Sequence, residues 1–140
     1  MKIRLVYMFL ASLVFICGCK KEEETTNQII EGHYKGTFQR ELVWEELETA
    51  NVTFTFESNE WSGSSENYNY PVLCRGTYSV IRDTIIFKNI CIVPPELDWS
   101  LILSGKYALT VDGDRVEFRR DYRFASSGAY IDRNVLYRED

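Results

Sequence analysis

The chain has 140 residues, with 16 basic and 21 acidic side chains and a formal net charge of −5. That length suits one domain, and the acidic excess argues against nucleic acid or an anionic membrane surface as partner. Aromatic residues make up 14% of the chain, which predicts a core built from rings.

In chain order, the first feature is a targeting segment. Lys2 and Arg4 form a short positive stretch, and residues 5–16 are an apolar run of signal-peptide length. The run is too short to span a bilayer, which takes roughly 20 apolar residues. It ends at Ile16-Cys17-Gly18-Cys19, followed by Lys20, Lys21 and three glutamates. This junction resembles the bacterial lipobox, with Ile16 and Cys17 where that pattern usually has Leu and a small residue. The resemblance implies a signal peptide over 1–18 and a lipid thioether on Cys19. A plain secretory signal cut elsewhere is the alternative. Two or three acyl chains would anchor the protein stably, since one chain binds only marginally. Cys19-Lys20-Lys21-Glu22-Glu23 also resembles the lipoprotein export signal of Bacteroidetes, which implies an outer-membrane protein facing outward; the alternative is a charged tether on the periplasmic face. Removing residues 1–18 takes away only Lys2 and Arg4, leaving 14 of the 16 basic residues against 21 acidic ones. Residues 19–28 read as a lipidated flexible tether, and 29–140 as a single domain.

That domain reads as all-β. Gly, Asn, Asp and Ser clusters punctuate segments that alternate with period two. Strands are predicted near 32–42, 49–57, 59–64, 73–81, 84–91, 100–110, 114–124 and 129–138. Val52, Phe54 and Phe56 alternate with Thr53, Thr55 and Glu57. The stretch 41–48 is ambiguous. Sequential antiparallel strands of this number predict an up-and-down barrel, or alternatively a two-sheet sandwich.

Two hairpins can be read in register. Folding about Asp112-Gly113 as a two-residue turn sets Leu109 opposite Val116 and Tyr107 opposite Phe118, all on one face. Folding about Arg82-Asp83 pairs Ile81 with Thr84, Val80 with Ile85, Tyr78 with Phe87 and Gly76 with Asn89. Continued, that register brings Cys74 to Cys91 at a non-hydrogen-bonded position, with Cα atoms about 4.5 Å apart. This is at the short end of what a disulfide accepts. Cys74 and Cys91 are the two cysteines left after processing and lipidation, and an exported protein meets an oxidising compartment, so a Cys74–Cys91 disulfide is expected. Two cysteines and the lone His33 do not make a zinc set; no metal or cofactor is expected.

Ile30-Glu31-Gly32-His33-Tyr34-Lys35-Gly36 at the head of the first strand resembles the Gly-x-Trp opening of lipocalin-like barrels, with Tyr34 in the Trp position. The meander and its late Arg-containing strands resemble the same family, particularly the small lipocalin-like lipoproteins of Bacteroidetes, over most of residues 29–138. The resemblance implies a roughly eight-stranded barrel that holds a small, mostly apolar ligand. The domain is shorter than an ordinary lipocalin and shows no C-terminal helix, which implies a narrower or filled interior.

Catalytic chemistry is scarce. Ser62-Gly63-Ser64-Ser65 lacks the strand–helix context of a nucleophile elbow, and His33 falls on the outward parity. Paired carboxylates such as Glu45-Glu46 sit in turn-like segments. No enzyme is expected. Inward parity places Arg40 with Tyr34 and Phe38, Arg120 and Tyr122 with Phe118, and Asn89 with Phe87. A buried guanidinium keeps its proton and must find an acceptor. Arg40 and Arg120 therefore suit an anionic group on a mostly apolar ligand, with packing across the barrel end or an ion pair to Glu48 as alternatives. The stretch 61–70 mixes Trp61, Tyr68 and Tyr70 with Ser, Gly and Asn, a composition common at binding surfaces. With Trp44 and Trp99 it could form an aromatic rim or merely plug the barrel end. Two functions follow: a lipid-anchored barrel binding a small ligand inside it, or a surface module with a filled barrel whose loops bind protein or glycan. Interior volume separates them.

Overall fold

The period-two alternation becomes eight antiparallel strands. In a computed structural model of the protein, residues 28–42, 48–123 and 129–140 are described. The expected signal peptide (1–18) and Cys19, and the segment 43–47 with Trp44, Glu45 and Glu46, lie outside the described residues. The strands are β1 (Gly32–Leu42), β2 (Glu48–Glu57), β3 (Glu60–Ser65), β4 (Arg75–Ile81), β5 (Thr84–Asn89), β6 (Gly105–Asp112), β7 (Arg115–Asp121) and β8 (Tyr130–Arg138). Each pairs with its neighbour in sequence, and β8 closes on β1 from Tyr34–Arg138 to Leu42–Tyr130. The architecture is a closed up-and-down barrel, not a sandwich.

Strand β2 shows how the sequence makes such a wall. Ala50, Val52, Phe54 and Phe56 are buried, while Asn51 and Thr53 between them are exposed. The inward residues of all eight strands then meet along the axis. Phe54 stacks on Phe56 at 5.7 Å, Phe118 lies 5.7 Å from Phe54 and 5.0 Å from Phe87, and Tyr107 lies 5.6 Å from Phe118. Edge-to-face and offset pairs of this kind each contribute about 0.5–1.5 kcal/mol beyond their buried area. The space between Tyr34, Arg40, Phe87 and Arg120 is therefore largely occupied by rings.

The hairpin at Arg82-Asp83 has the expected register, from Ile81–Thr84 to Gly76–Asn89. The Cys74–Cys91 disulfide is present, with Cα atoms 6.4 Å apart. That separation exceeds the expected 4.5 Å because the ladder ends at Gly76–Asn89 and the cysteines lie just beyond it, where the chains diverge. The other hairpin is a correction. Its turn is Gly113-Asp114, so Leu109 faces Phe118 and Val111 faces Val116. Gly113 has φ +58° and Asp114 does not share the sign, which fits a turn with Gly at its first central position. The shift moves each residue by one same-face neighbour, so Tyr107, Leu109, Val116 and Phe118 are still all buried.

The largest departure is at the sixth strand. Residues 100–104 do not extend it: Trp99–Leu101 is a 3-10 turn, capped by the Asp98 carboxylate accepting from the Ser100 amide at 2.9 Å, and β6 begins only at Gly105. Trp61, expected near a strand end as part of a rim, is a core residue at 2% exposure. Opposite it stands Gly76, where a Cβ would lie 2.9 Å from the Trp61 ring nitrogen and 1.7 Å from the Lys88 carbonyl oxygen. The indole fits because β4 has no side chain there.

Candidate functional site

The two barrel ends differ in their connections. One end carries the tight turns after β2, β4 and β6, both chain termini of the barrel, and segment 28–31. The opposite end carries the long connections, and the polar residues concentrate there.

Two of those connections are fastened together. The β3–β4 segment 66–74 and the β5–β6 segment 90–104 are joined by the disulfide and by a parallel bridge at Val72–Ile102. The Val72 amide donates to Leu101 O at 3.0 Å, and the Leu103 amide to Val72 O at 3.4 Å. Folding 90–104 over the mouth brings the Ser100 backbone and hydroxyl onto the two inward arginines.

Arg40, 6% exposed, donates through Nε and Nη2 to the two carboxylate oxygens of Asp132 at 2.6 and 2.8 Å. Its Nη1 donates to Ser100 Oγ at 2.7 Å and its Nη2 to Ser100 O at 2.9 Å. Arg120 donates to Ser104 O at 2.7 Å and Ser100 O at 3.1 Å, with Asp132 Oδ2 at 3.5 Å. The Arg40 guanidinium lies over the Tyr130 ring at 4.0 Å, and that of Arg120 is 4.6 Å from both Tyr107 and Tyr122. Burial works against the Arg40 charge, but the Asp132 hydrogen bonds together with the Asp132, Tyr130 and Asp98 charges outweigh it, and its pKa is raised. A fork-to-fork pair of this geometry is among the stronger hydrogen-bonded contacts in proteins. Both arginines are thus engaged by the protein itself, and the acceptor is Asp132 rather than Glu48.

The other candidate residues scatter. Tyr34 belongs to the tight-turn end, where its hydroxyl donates to Ile30 O at 2.5 Å, and it does not join the arginines. Asn89 is half-buried and accepts from the Cys91 amide at 2.8 Å. Tyr122 packs on Tyr130 at 5.0 Å. Tyr70 packs its ring on Phe38 at 5.2 Å; burial, then the nearby Glu48 charge, push its hydroxyl up to about 12. Of the aromatic residues in 61–70, only Tyr68 stands free in solvent, at 91% exposure.

Asp132 was not expected, although β8 announced it: Tyr130, Asp132, Asn134 and Leu136 share the inward parity. Ser100 had no such signal, since it acts from a loop. Ile90 and Ile92 were also unexpected; both are exposed, Ile92 at 98%, and Trp99 at 63%. These three and Tyr68 lie on the two fastened segments. Among the described residues no group of three or more His, Cys, Asp or Glu side chains is placed to hold a metal.

Fold and site together define a class: a closed, eight-stranded antiparallel barrel with a ring-packed interior and two disulfide-fastened connections exposing apolar side chains at one end. No protein-family model matches the chain, and the curated proteins and the solved structures yield no match either.

Proposed function

We propose that this chain is a non-enzymatic, lipid-anchored protein of the bacterial outer membrane, whose barrel is a rigid scaffold and whose loop end binds a protein partner. The observation that carries the reading is the contrast between a ring-packed interior and the exposure of Tyr68, Ile90, Ile92 and Trp99 on fastened connections. Aromatic side chains held on a rigid surface cost little entropy to dock, and interface anchors are commonly of this kind. The lipobox-like Cys19 supports anchoring. Segment 28–31 enters at the opposite end, so a tether running from Cys19 would point the exposed side chains away from the membrane.

A second reading keeps the small apolar ligand of lipocalin-like barrels. Its support is an open hollow of about 530 Å³ at the tight-turn end, lined in part by Ile29, Ile30, Tyr78 and Val80, a size within the range of small-molecule sites.

The test is site-specific photo-crosslinking of the full chain in its native cell, after checking that fatty-acid labelling is lost in Cys19→Ser. A discrete adduct from a photoreactive residue at Tyr68 or Trp99, absent from one at Ile81, supports the loop-end reading. Adducts from Ile81 alone, or none from the loop end, overturn it. Labelling that survives Cys19→Ser overturns the anchor.

A further inference from the structure

A separate feature lies on the outer wall, running from Tyr137 near the end of β8 to Glu66 just past β3. Strands β8, β1, β2 and β3 enclose a groove of about 540 Å³. Its floor is the backbone at Gly36 and Val52, and its sides are Thr37, Asn51, Thr53, Ser64, Glu66 and Tyr137. Register explains the grouping, because Thr37 pairs with Asn51 across β1–β2 and Thr53 with Ser64 across β2–β3. Their outward parity puts hydroxyls, an amide and a carboxylate side by side.

These groups are ordered before any ligand arrives. Asn51 Nδ2 donates to Glu66 Oε2 at 2.8 Å, and the Thr53 and Ser64 hydroxyls are 2.7 Å apart. Tyr137, the next-to-last residue of β8, closes one side and is 55% exposed. Lys35, also at the rim, is 2.6 Å from Glu139, so its charge is already met. A lining of hydroxyls, amide and carboxylate both donates and accepts hydrogen bonds but offers no unmatched cation for an acidic ligand. An exposed tyrosine supplies an apolar face with a polar tip.

We infer that this wall groove binds a neutral oligosaccharide, with a sugar ring packed on Tyr137 and its hydroxyls bonded by the Asn51–Glu66 and Thr53–Ser64 pairs. The chemistry matches group by group. Vicinal sugar hydroxyls need neighbouring donors and acceptors, and the C–H face of a pyranose needs a ring. A groove of this size within the range of small-molecule sites accepts a short stretch of a chain, and its open sides let the chain continue. Apart from Glu66, which begins the 66–74 connection, this site shares no residue with the proposed loop-end surface, so either reading can fail without the other.

The experiment is calorimetric titration of the full chain in detergent with neutral malto-, cello-, chito- and laminari-oligosaccharides, and with polygalacturonate as the acidic comparison. At least one neutral series binds. Tyr137→Ala and Asn51→Ala each weaken that binding by about tenfold or more, equivalent to about 1.4 kcal/mol, and Trp99→Ala leaves it unchanged. Ser64→Trp, which fills the groove while keeping the other contacts, abolishes it, and circular dichroism establishes that each variant is folded. Absence of binding to every neutral series overturns the inference. So does binding that persists in Tyr137→Ala and Ser64→Trp, that disappears in Trp99→Ala, or that is stronger for polygalacturonate.

Discussion

The tight-turn end and the loop end of this barrel are closed by different means. At the tight-turn end, two-residue turns at Ser58-Asn59, Arg82-Asp83 and Gly113-Asp114 join neighbouring strands, several of their residues at positive φ. Buried Ile29 then covers the opening, with the Glu31 carboxylate accepting from the Ser58 amide at 2.7 Å. The loop end has long connections instead, held by a disulfide, a parallel bridge and a buried Arg–Asp–Arg cluster. The difference teaches where each kind of interaction is needed. A two-residue turn orders itself locally, whereas a fifteen-residue connection such as 90–104 has far more conformational freedom to lose and takes covalent and ionic fastening to hold one shape.

Breaking the loop end at its centre has the largest expected effect. Asp132→Ala strips the carboxylate from two buried guanidiniums, and removing one partner of a buried ion pair costs about 3–5 kcal/mol. Urea unfolding should show a stability loss of that size, read as the midpoint shift multiplied by the m-value, and hydrogen exchange should show segment 98–104 opening first. Replacing both Cys74 and Cys91 by Ser removes a link between residues 17 apart in sequence, worth about 3 kcal/mol in the chain-entropy treatment. Its loss should loosen the loop end and leave the three tight turns protected.

The tight-turn end should yield less. Gly113→Ala puts a side chain at φ +58° with nothing within 4 Å to clash, so the cost is the left-handed backbone alone, about 1–2 kcal/mol, read again as a urea midpoint. The smallest effect is alkaline. The Tyr70 hydroxyl is raised to about 12, first by burial, from an ordinary 10.0. Between those values the unfolded chain loses its proton first, so stability present below pH 10 falls as pH rises toward 12. Tyr70→Phe should make that fall shallower without changing stability at pH 7 by more than the lost contact to Glu48 O, 3.4 Å away.

Local pattern carried much of this fold. The alternation in β2, and the hairpin about Arg82-Asp83 with the disulfide beyond it, follow from period two, because a slip of one residue would turn every buried side chain outward. The Gly113-Asp114 hairpin shows the limit of that argument. Moving the turn by one residue keeps all four apolar residues on the same face, so burial does not distinguish the two registers, and the backbone preference of Gly decides. Trp61 shows another limit, since β3 is otherwise Ser, Gly and Glu and offers no alternation to orient it.

The sequence by itself determined an all-β meander of eight strands, the inward parity of Arg40 and Arg120, and the pairing of Cys74 with Cys91. Each rests on spacing along one strand or across one tight turn. Only the tertiary structure decided that the sheet closes between β1 and β8, that Arg40 meets Asp132 across 92 residues, and that Ser100 reaches both guanidiniums from a loop. Whether a barrel is hollow or filled depends on which side chains meet across its axis. That is settled by closure and packing among distant strands, which no local period records.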